Sequence, residues 1–239
     1  VKKQKNFYIK GDKMGRFERS KMLFGEDFAR LQNARVLVCG CGGVGGVCID
    51  TLYRSGVVNL SVVDCDSFEL SNQNRQIGSE NLGEQKTKVF ERLYPGVVGL
   101  ECRLSAETVE TLDVEEFDLV IDSIDDIPAK VALANLCARS GVPLISSMGG
   151  ARRFDPTQIR VESVWRTKND PFARKFRYEL KRSGFVGDFK CVFSMEIPTK
   201  CEGLGSFKAV TAAFGLHLAA LAVKNILKCK CSVYHPRVA

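Results

Sequence analysis

Imidazole chemistry has little to work with in this chain: its 239 residues include two histidines, His217 and His235. Neither has the partners of a catalytic triad or a metal cluster, which sets aside triad hydrolases and histidine-ligated metal centres. Cys-x-x-Cys is also missing, although there are ten cysteines. Cys39/Cys41 and Cys229/Cys231 are spaced Cys-x-Cys, and several others lie inside apolar runs. Close-spaced ligand pairs for structural zinc are therefore lacking, and nothing suggests a disulfide framework. The cysteines read as reduced, small core residues of a cytoplasmic protein. The opening VKKQKNFYIKGDK is basic without an apolar core, so no export signal is expected. A clean membrane span is wanting too. Ala209 to Leu227 is nearly apolar, but it holds His217 centrally and Lys224 near its end, with Lys228 just beyond. A core or dimer-interface helix is expected there, not an integral membrane segment. Repeats and low-complexity tracts are absent.

Hydrophobic residues make up 45% of the chain, enough for a buried core, and the length suits one domain with a modest extension. The formal charge of +7 favours an acidic partner such as nucleic acid. The most informative stretch runs from Arg35 to Asp66. Arg35 to Cys39 reads as a strand ending on Gly40-Cys41-Gly42-Gly43-Val44-Gly45. Gly46 to Ser55 has helical spacing, and Leu60 to Val63 is a second strand ending on Asp64. Strand, glycine turn, helix and strand, with an acid about 20 residues past the glycines, describe a nucleotide site. Glycines let the backbone turn tightly and approach a ligand, and the following helix N-terminus favours phosphate. Asp64 can accept hydrogen bonds from ribose hydroxyls. These residues alone leave NAD, FAD and ATP open.

Before this unit, residues 1 to about 14 read as a charged arm, and Arg16 to Leu31 as helical, with Arg16 and Arg19 as solvated charges. After it, Asp66 to Ile77 is a polar loop at the carboxyl end of the sheet, where open α/β folds bind ligands. It carries Asn72, Asn74 and Arg75, and Lys86 and Lys88 follow before the helical VFERLYP. A hydride-transfer enzyme has little need of several cations there, whereas an enzyme acting on a triphosphate does. Leu100 to Leu104 is expected as a strand and Ser105 to Glu116 as a helix. Phe117 to Asp122 is a buried strand leading into Asp125 and Asp126. Carboxylates beside a phosphate site suit magnesium; either could instead cap the helix Ile127 to Ser140. Val142 to Ser147 is a further strand, closed by Gly149-Gly150.

From Ala151 the texture changes. Gln158 to Val164 and Lys190 to Glu196 read as strands, and Asp170 to Arg182 as a helix with Phe172, Phe176 and Leu180 on one face. Arg174, Arg177 and Lys181 share another face, which is either solvated or tracks RNA phosphates. A short loop after Glu196 holds Cys201.

The glycine turn, Asp64, the SNQNRQI loop, Lys86 and the DSIDD cluster together resemble the MoeB/ThiF/HesA superfamily of ubiquitin-activating-like adenylating enzymes. The likeness runs from about Arg16 to Gly150. Gly149-Gly150-Ala151, Asp155 to Ile159, Asp170-Pro171 with its basic helix, Val192 to Glu196 and Val210 to Gly215 extend it. Together they are similar to the tRNA threonylcarbamoyladenosine dehydratase group. The resemblance implies an α/β, Rossmann-like doubly wound fold, mostly parallel, with a C-terminal strand/helix extension. It implies a single adenylating domain over 1–239, with a nucleotide-binding core at 15–150 and a substrate and dimer extension at 151–239. By the same resemblance Gly40, Gly42, Gly43 and Gly45 cradle ATP, Asp64 holds the ribose beside Asp66, and Asn72, Asn74, Arg75 and Lys86 face the phosphates. Asp125 carries Mg2+ beside Asp126. Arg19 is an arginine finger reaching a partner's site in a homodimer, so Arg19, Arg75, Lys86 and Asp125 are the expected catalytic set. Arg174, Arg177, Lys181 and Cys201 are the candidates for tRNA contact.

The activity so implied is adenylation of the carboxylate on tRNA threonylcarbamoyladenosine, then ring closure with release of AMP. Cys201 is optional in it, although a thioester or sulfur-carrying role would involve a cysteine-desulfurase/sulfur-acceptor system. Three rivals stay open: an adenylating activator of a ubiquitin-like sulfur-carrier protein, a NAD-dependent dehydrogenase, and a non-catalytic nucleic-acid binder on a nucleotide fold.

Overall fold

A computed structural model of the chain describes residues 15–228. The basic arm expected over 1–14, the Cys229/Cys231 pair and His235 lie outside the described residues. Seven strands form one sheet in the order β3-β2-β1-β4-β5-β7-β6. They are β1 (Arg35–Cys39), β2 (Asn59–Asp64), β3 (Val98–Glu101), β4 (Leu119–Asp122), β5 (Leu144–Ser147), β6 (Ile159–Ser163) and β7 (Lys190–Ser194). All neighbours pair parallel except β6, which runs antiparallel to β7 at the edge. The strand order reverses direction at β1, between β2 and β4, and ligands of open α/β sheets bind at such a switch point. The doubly wound, mostly parallel architecture expected from the sequence is the one observed.

The central strands read as unbroken apolar runs because both faces are covered. Alternate side chains point to opposite faces, so Val36, Val38, Leu60, Val62, Leu119 and Ile121 join one core. Leu37, Cys39, Val63, Val120 and Leu144 join the other. The first face is covered by α2 (Phe28–Asn33), α3 (Gly45–Ser55), α4 (Lys86–Leu93) and α7 (Lys208–Lys228). The second is covered by α5 (Ile127–Ser140) and α6 (Pro171–Arg182). Helix α7 is long and apolar enough to cross a membrane by length and composition, with a mean hydropathy of 1.6 over its best window. Its stripe Val210, Phe214, Leu218 and Ala222 is buried in the first core. Its contact with α3 is close at Gly215, where a side-chain Cβ would lie 2.5 Å from the Val44 carbonyl oxygen and 2.8 Å from Val47 Cβ.

Three local expectations change. The helical segment at 16–31 is two short helices, α1 (Glu18–Phe24) and α2, broken at Gly25 with φ of 56°. Helix α2 enters the core through buried Phe28 and Leu31, whereas α1 has no buried residue and only Phe24 at its end packs partly against that core. The helix expected over 105–116 is two 3-10 turns, 108–111 and 114–116. There the Thr108 hydroxyl donates to the Arg103 carbonyl and accepts from the Ser105 amide, so side chains take over backbone bonds that a helix would need. The third strand lies at 98–101 rather than 100–104.

Gly215→Val should destabilise the protein by about 2–3 kcal/mol or prevent folding, because overpacking a filled helix contact forces backbone shifts. Urea denaturation followed by circular dichroism checks this.

Candidate active site

The loop after β1 is built by its backbone contacts. Gly40 has φ of 97°, a conformation that side-chained residues rarely adopt, and its amide donates to the Val63 carbonyl at 2.8 Å. A Cβ on Gly45 would fall 1.9 Å from the Gly40 carbonyl oxygen and 2.5 Å from Ser123 Oγ, so the start of α3 folds back onto the strand end. Ser123, just past β4, ties the turn down by donating to the Cys39 and Gly40 carbonyls at 2.8 and 2.9 Å. Gly42 is different. A Cβ there would meet only Gln76 Nε2, at 4.0 Å, so no close contact inside the protein requires glycine at this position. That is the geometry of a backbone segment kept bare for a ligand.

Asp64 fastens the turn to β2. One carboxylate oxygen accepts the Cys41 amide at 2.6 Å and the other accepts the Asp66 amide at 2.9 Å. Each oxygen keeps a further lone pair, so the carboxylate is oriented but not saturated. Burial pushes the Cys41 thiol well above its ordinary range, and Asp64 adds to the rise; Cys41 is thus a packing residue with no nucleophilic character. Lys86, at the start of α4, is almost fully buried, and its ammonium lies 2.9 Å from Asp66. The hydrogen bond from Lys86 holds the Asp66 carboxyl below the usual range. Asp64, Cys65 and Asp66 offer ligand atoms within 4.8 Å of one another. With Asp64 taken by backbone amides and Asp66 by Lys86, the group is a hydrogen-bonded clamp.

The polar loop closes over the glycines. Arg75 lies against Gly43, where a Cβ would come 3.1 Å from Arg75 Cγ. Its guanidinium donates to the Ser71 carbonyl at 2.9 Å and Asn74 Oδ1 at 2.8 Å, and Asn74 donates to the Ser206 carbonyl at 3.1 Å. Asn72 is buried and caps its own 3-10 turn, its Oδ1 accepting the Glu69 amide at 3.2 Å. It therefore holds the loop's shape and does not reach into open space. Gln76 was not expected at the site. It is 7% exposed, and its Oε1 has no hydrogen-bond partner although it is buried. The Gln76 atom nearest the bare Gly42 is Nε2, so the side chain with the orphaned oxygen borders the glycine turn.

Asp125 and Asp126 separate in role. Asp126 is the N-cap of α5, its Oδ1 accepting the Ala129 amide at 2.8 Å, the capping role that the sequence had left open for it. Asp125 is exposed and, among the described residues, has no hydrogen-bond or ion-pair partner. Arg19 is likewise exposed and unpaired on α1, and nothing joins it to the glycine turn. Of the expected tRNA residues, Arg177 donates to the Thr167 hydroxyl and Lys181 lies 5.9 Å from the Trp165 ring centroid, while Arg174 is exposed and unpaired. Cys201 is exposed in a loop pinned by Arg152, which donates to the Gly205 and Gly203 carbonyls through its amide and Nε.

Behind Asp125 lies a buried ion pair that sequence reading missed. Lys130 and Asp122 are both fully inaccessible, with Nζ and Oδ2 2.7 Å apart. The ammonium also donates to the Ile124 and Ser147 carbonyls at 3.1 and 2.9 Å, between the Phe172 and Phe176 rings. Asp122 in turn accepts the Ser146 hydroxyl at 2.6 Å and the Ile124 amide at 3.1 Å. The signal was available: Lys130 shares the buried helical stripe of Leu133, Ala134 and Cys137.

A sequence model of the ThiF family matches residues 17–239. The Escherichia coli protein named tRNA threonylcarbamoyladenosine dehydratase is 31% identical over 252 residues, covering 89% of this chain and 93% of that protein. The Bacillus subtilis protein of the same name is 33% identical over 191 residues, covering 76% of this chain and 75% of that protein. Among solved structures, E. coli tRNA N6-threonylcarbamoyladenosine dehydratase in complex with ATP is similar with a TM-score of 0.83 at 32% identity. That match covers 89% of this chain and 93% of that one.

Lys130→Met should cost about 3–5 kcal/mol by leaving Asp122 charged and unpaired in the core, while Asp122→Leu/Lys130→Met should recover most of it. Denaturant midpoints of the single and double variants give the comparison.

Proposed function

The chain belongs to the ThiF family, and on that premise we propose that it is an ATP-dependent tRNA threonylcarbamoyladenosine dehydratase. The observation that carries the reading is one of convergence. The glycine turn, the Asp64 clamp, Arg75 and the orphaned Gln76 meet at the carboxyl ends of adjacent strands β1, β2 and β4, with Asp125 two residues beyond Ser123. In this reading Gly40, Gly42, Gly43 and Gly45 admit ATP, and Asp64 holds the ribose beside Asp66. Arg75 and Lys86 offset phosphate charge, Asn74 holds the Arg75 guanidinium, and Asn72 keeps their loop in shape. Residues 15–150 act as the nucleotide core and 151–239 as the substrate and dimer extension.

The substrate carboxylate is inert as it stands, because oxide is a poor leaving group. Its oxygen attacks the α-phosphorus of ATP and pyrophosphate departs, so that the same oxygen can later leave with AMP. Arg75 and Lys86 stabilise the negative charge that builds on the phosphates during this step. Asp125 is unpaired and acidic, which fits a magnesium ion, and such an ion would neutralise phosphate charge there. The neighbouring carbamoyl group then attacks the activated carbonyl, a ring closes, AMP is expelled, and one water has been lost overall. Tethering supplies most of this second step, since intramolecular placement removes about 7–11 kcal/mol of barrier. Nothing in it is asked of Cys201, nor therefore of a cysteine-desulfurase partner. The enzyme is placed in the cytoplasm, with its tRNA substrate; the described cysteines are all unpaired.

A homodimer completes the site. Helix α1 supports this: none of its residues is buried, and Met22 and Leu23 are 71% and 76% exposed beside Arg19. An apolar surface next to an unpaired arginine suits a partner that takes both.

AMP release from labelled ATP should depend on tRNA carrying the threonylcarbamoyl group, and mass analysis should show that nucleoside lighter by one water. Arg75→Ala and Asp125→Ala should each slow it by about 10²–10³-fold, as the loss of a preorganised charge-stabilising group does. AMP release driven instead by a carrier protein with a free Gly-Gly end would replace the reading with protein activation. Arg19→Ala and Asp125→Ala proteins, each inactive alone, should regain activity when unfolded and refolded together; continued inactivity of the mixture would rule out a shared site.

A further inference from the structure

Cations on the surface of this protein are distributed unevenly in their pairing. Arg54, Lys88, Arg92 and Arg139 each lie within 3.0 Å of a carboxylate, and Arg182 and Lys190 lie 3.3 and 3.5 Å from Glu179 and Glu162. At the start of α6 the pattern stops. Lys168, Arg174 and Lys175 are exposed and, among the described residues, have no acidic partner. The acids close to them are already engaged. Asp170 caps α6 through the Ala173 amide and pairs with Arg153 at 3.5 Å, and Glu196 accepts the Phe154 and Asp155 amides. In the adjoining loop Lys200 and Glu202 cancel in charge. A local excess of positive charge is left uncompensated.

This excess borders a cleft of about 410 Å3 between the first turns of α6 and residues 197–198, lined in part by Arg174, Arg177, Ile197 and Pro198. Ile197 is 76% exposed, an apolar side chain left in solvent at the cleft wall. The cleft opens on the same edge of the sheet as the nucleotide site. Asp170 accepts the Gly149 amide at 3.2 Å just past β5, and Ile197 and Pro198 follow β7.

We propose that this cleft seats a nucleotide flanking the modified adenosine in a single-stranded RNA loop, with Lys168, Arg174 and Lys175 on the adjoining phosphates. The proposal rests on the dehydratase reading. An enzyme that works on a substituent of a base needs that base out of the stack, so the flanking nucleotides must be held by something other than their neighbours. Loops are the part of an RNA whose bases can be splayed onto a protein surface. The cleft has the volume of a small-molecule site, its Ile197–Pro198 wall offers an apolar face to a base, and its rim carries phosphate-seeking charge. The expected face of Arg174, Arg177 and Lys181 is thereby redrawn: Arg177 is engaged with Thr167 and Lys181 with Trp165, while Arg174 lines the cleft and Lys168 and Lys175 are the sequence neighbours of the lining residues Asn169 and Arg174.

The test is fluorescence anisotropy of the full chain with a labelled RNA stem-loop bearing the modification in its loop, titrated with salt. Wild type is compared with Lys168→Glu/Arg174→Glu/Lys175→Glu, Ile197→Ser and, as a control on α7, Lys224→Glu. The triple variant should lose about tenfold or more in affinity, and its log–log salt slope should fall by about 2, at about 0.7 for each single-strand phosphate contact removed. Ile197→Ser should weaken binding without changing the slope, and Lys224→Glu should leave both unchanged. Thermal melts and ATP affinity establish that each variant is folded. A triple variant with wild-type affinity and slope overturns the proposal, as does one that loses binding to polyglutamate but not to RNA. Wild type that neither binds the stem-loop nor releases AMP with it would sink the dehydratase reading itself, an outcome distinguishable from failure of the cleft alone.

Discussion

Lys130 is sealed from water, and the four elements around it are held together by its charge. Its ammonium is bonded to Asp122 at the end of β4, to Ile124 in the following loop and to Ser147 at the end of β5, with rings from α6 above it. A lysine in the first turn of a helix opposes the helix dipole, and burying its charge is expensive without complete pairing. Both penalties are met by one geometry: if any of the acceptors moves, an ammonium is left short of partners in an apolar interior. The backbone leading to Asp125 and the backbone leading to Gly149-Gly150 are thereby set relative to each other. The exposed carboxylate has no contact of its own, so its direction is inherited from this buried anchor.

Asp64 does the corresponding work on the other side of β1. It spans from β2 to the amide of Cys41, and Ser123 spans from β4 to the carbonyls of Cys39 and Gly40. The glycine turn is thus held from both neighbouring strands before any ligand arrives. Preorganisation of this kind matters for a site that must stabilise phosphate charge, since groups already in place need no rearrangement as charge develops.

Much of this was legible in the sequence, for identifiable reasons. The strands were readable because a sheet covered on both faces leaves near-continuous runs such as Val36-Leu37-Val38-Cys39. The glycine turn, Asp64, Arg75 and Lys86 were readable because their spacing follows from backbone geometry. Capping was only half legible: Asp126 satisfied a capping pattern and a metal-side pattern at once, and only the bond to Ala129 separates them. Gln76 was missed since a buried polar group in a loop announces itself by its environment, not its spacing; Lys130 was missed although its place on the apolar stripe of α5 marked it as buried. The segment 105–116 misled because helical periodicity was present while Ser105 and Thr108 supplied competing local bonds. Arg177 and Lys181 shared a helix face with Arg174, as expected, but partners from outside the helix had already claimed them.

One face of the sheet is closed by α7, the last helix of the described chain, whose Phe214, Leu218 and Ala222 fill the core above β4 and β5. Chains are made from the amino end, so α3 and the strands it covers leave the ribosome long before their lid exists. During that interval the nucleotide turn is already encoded and emerging, yet the apolar face of β4 and β5 that α7 will cover stays open to water. Such a partly built sheet invites association with other nascent chains. Emergence of α7, rather than assembly of the glycine turn, is then the event that commits this sheet to its native state.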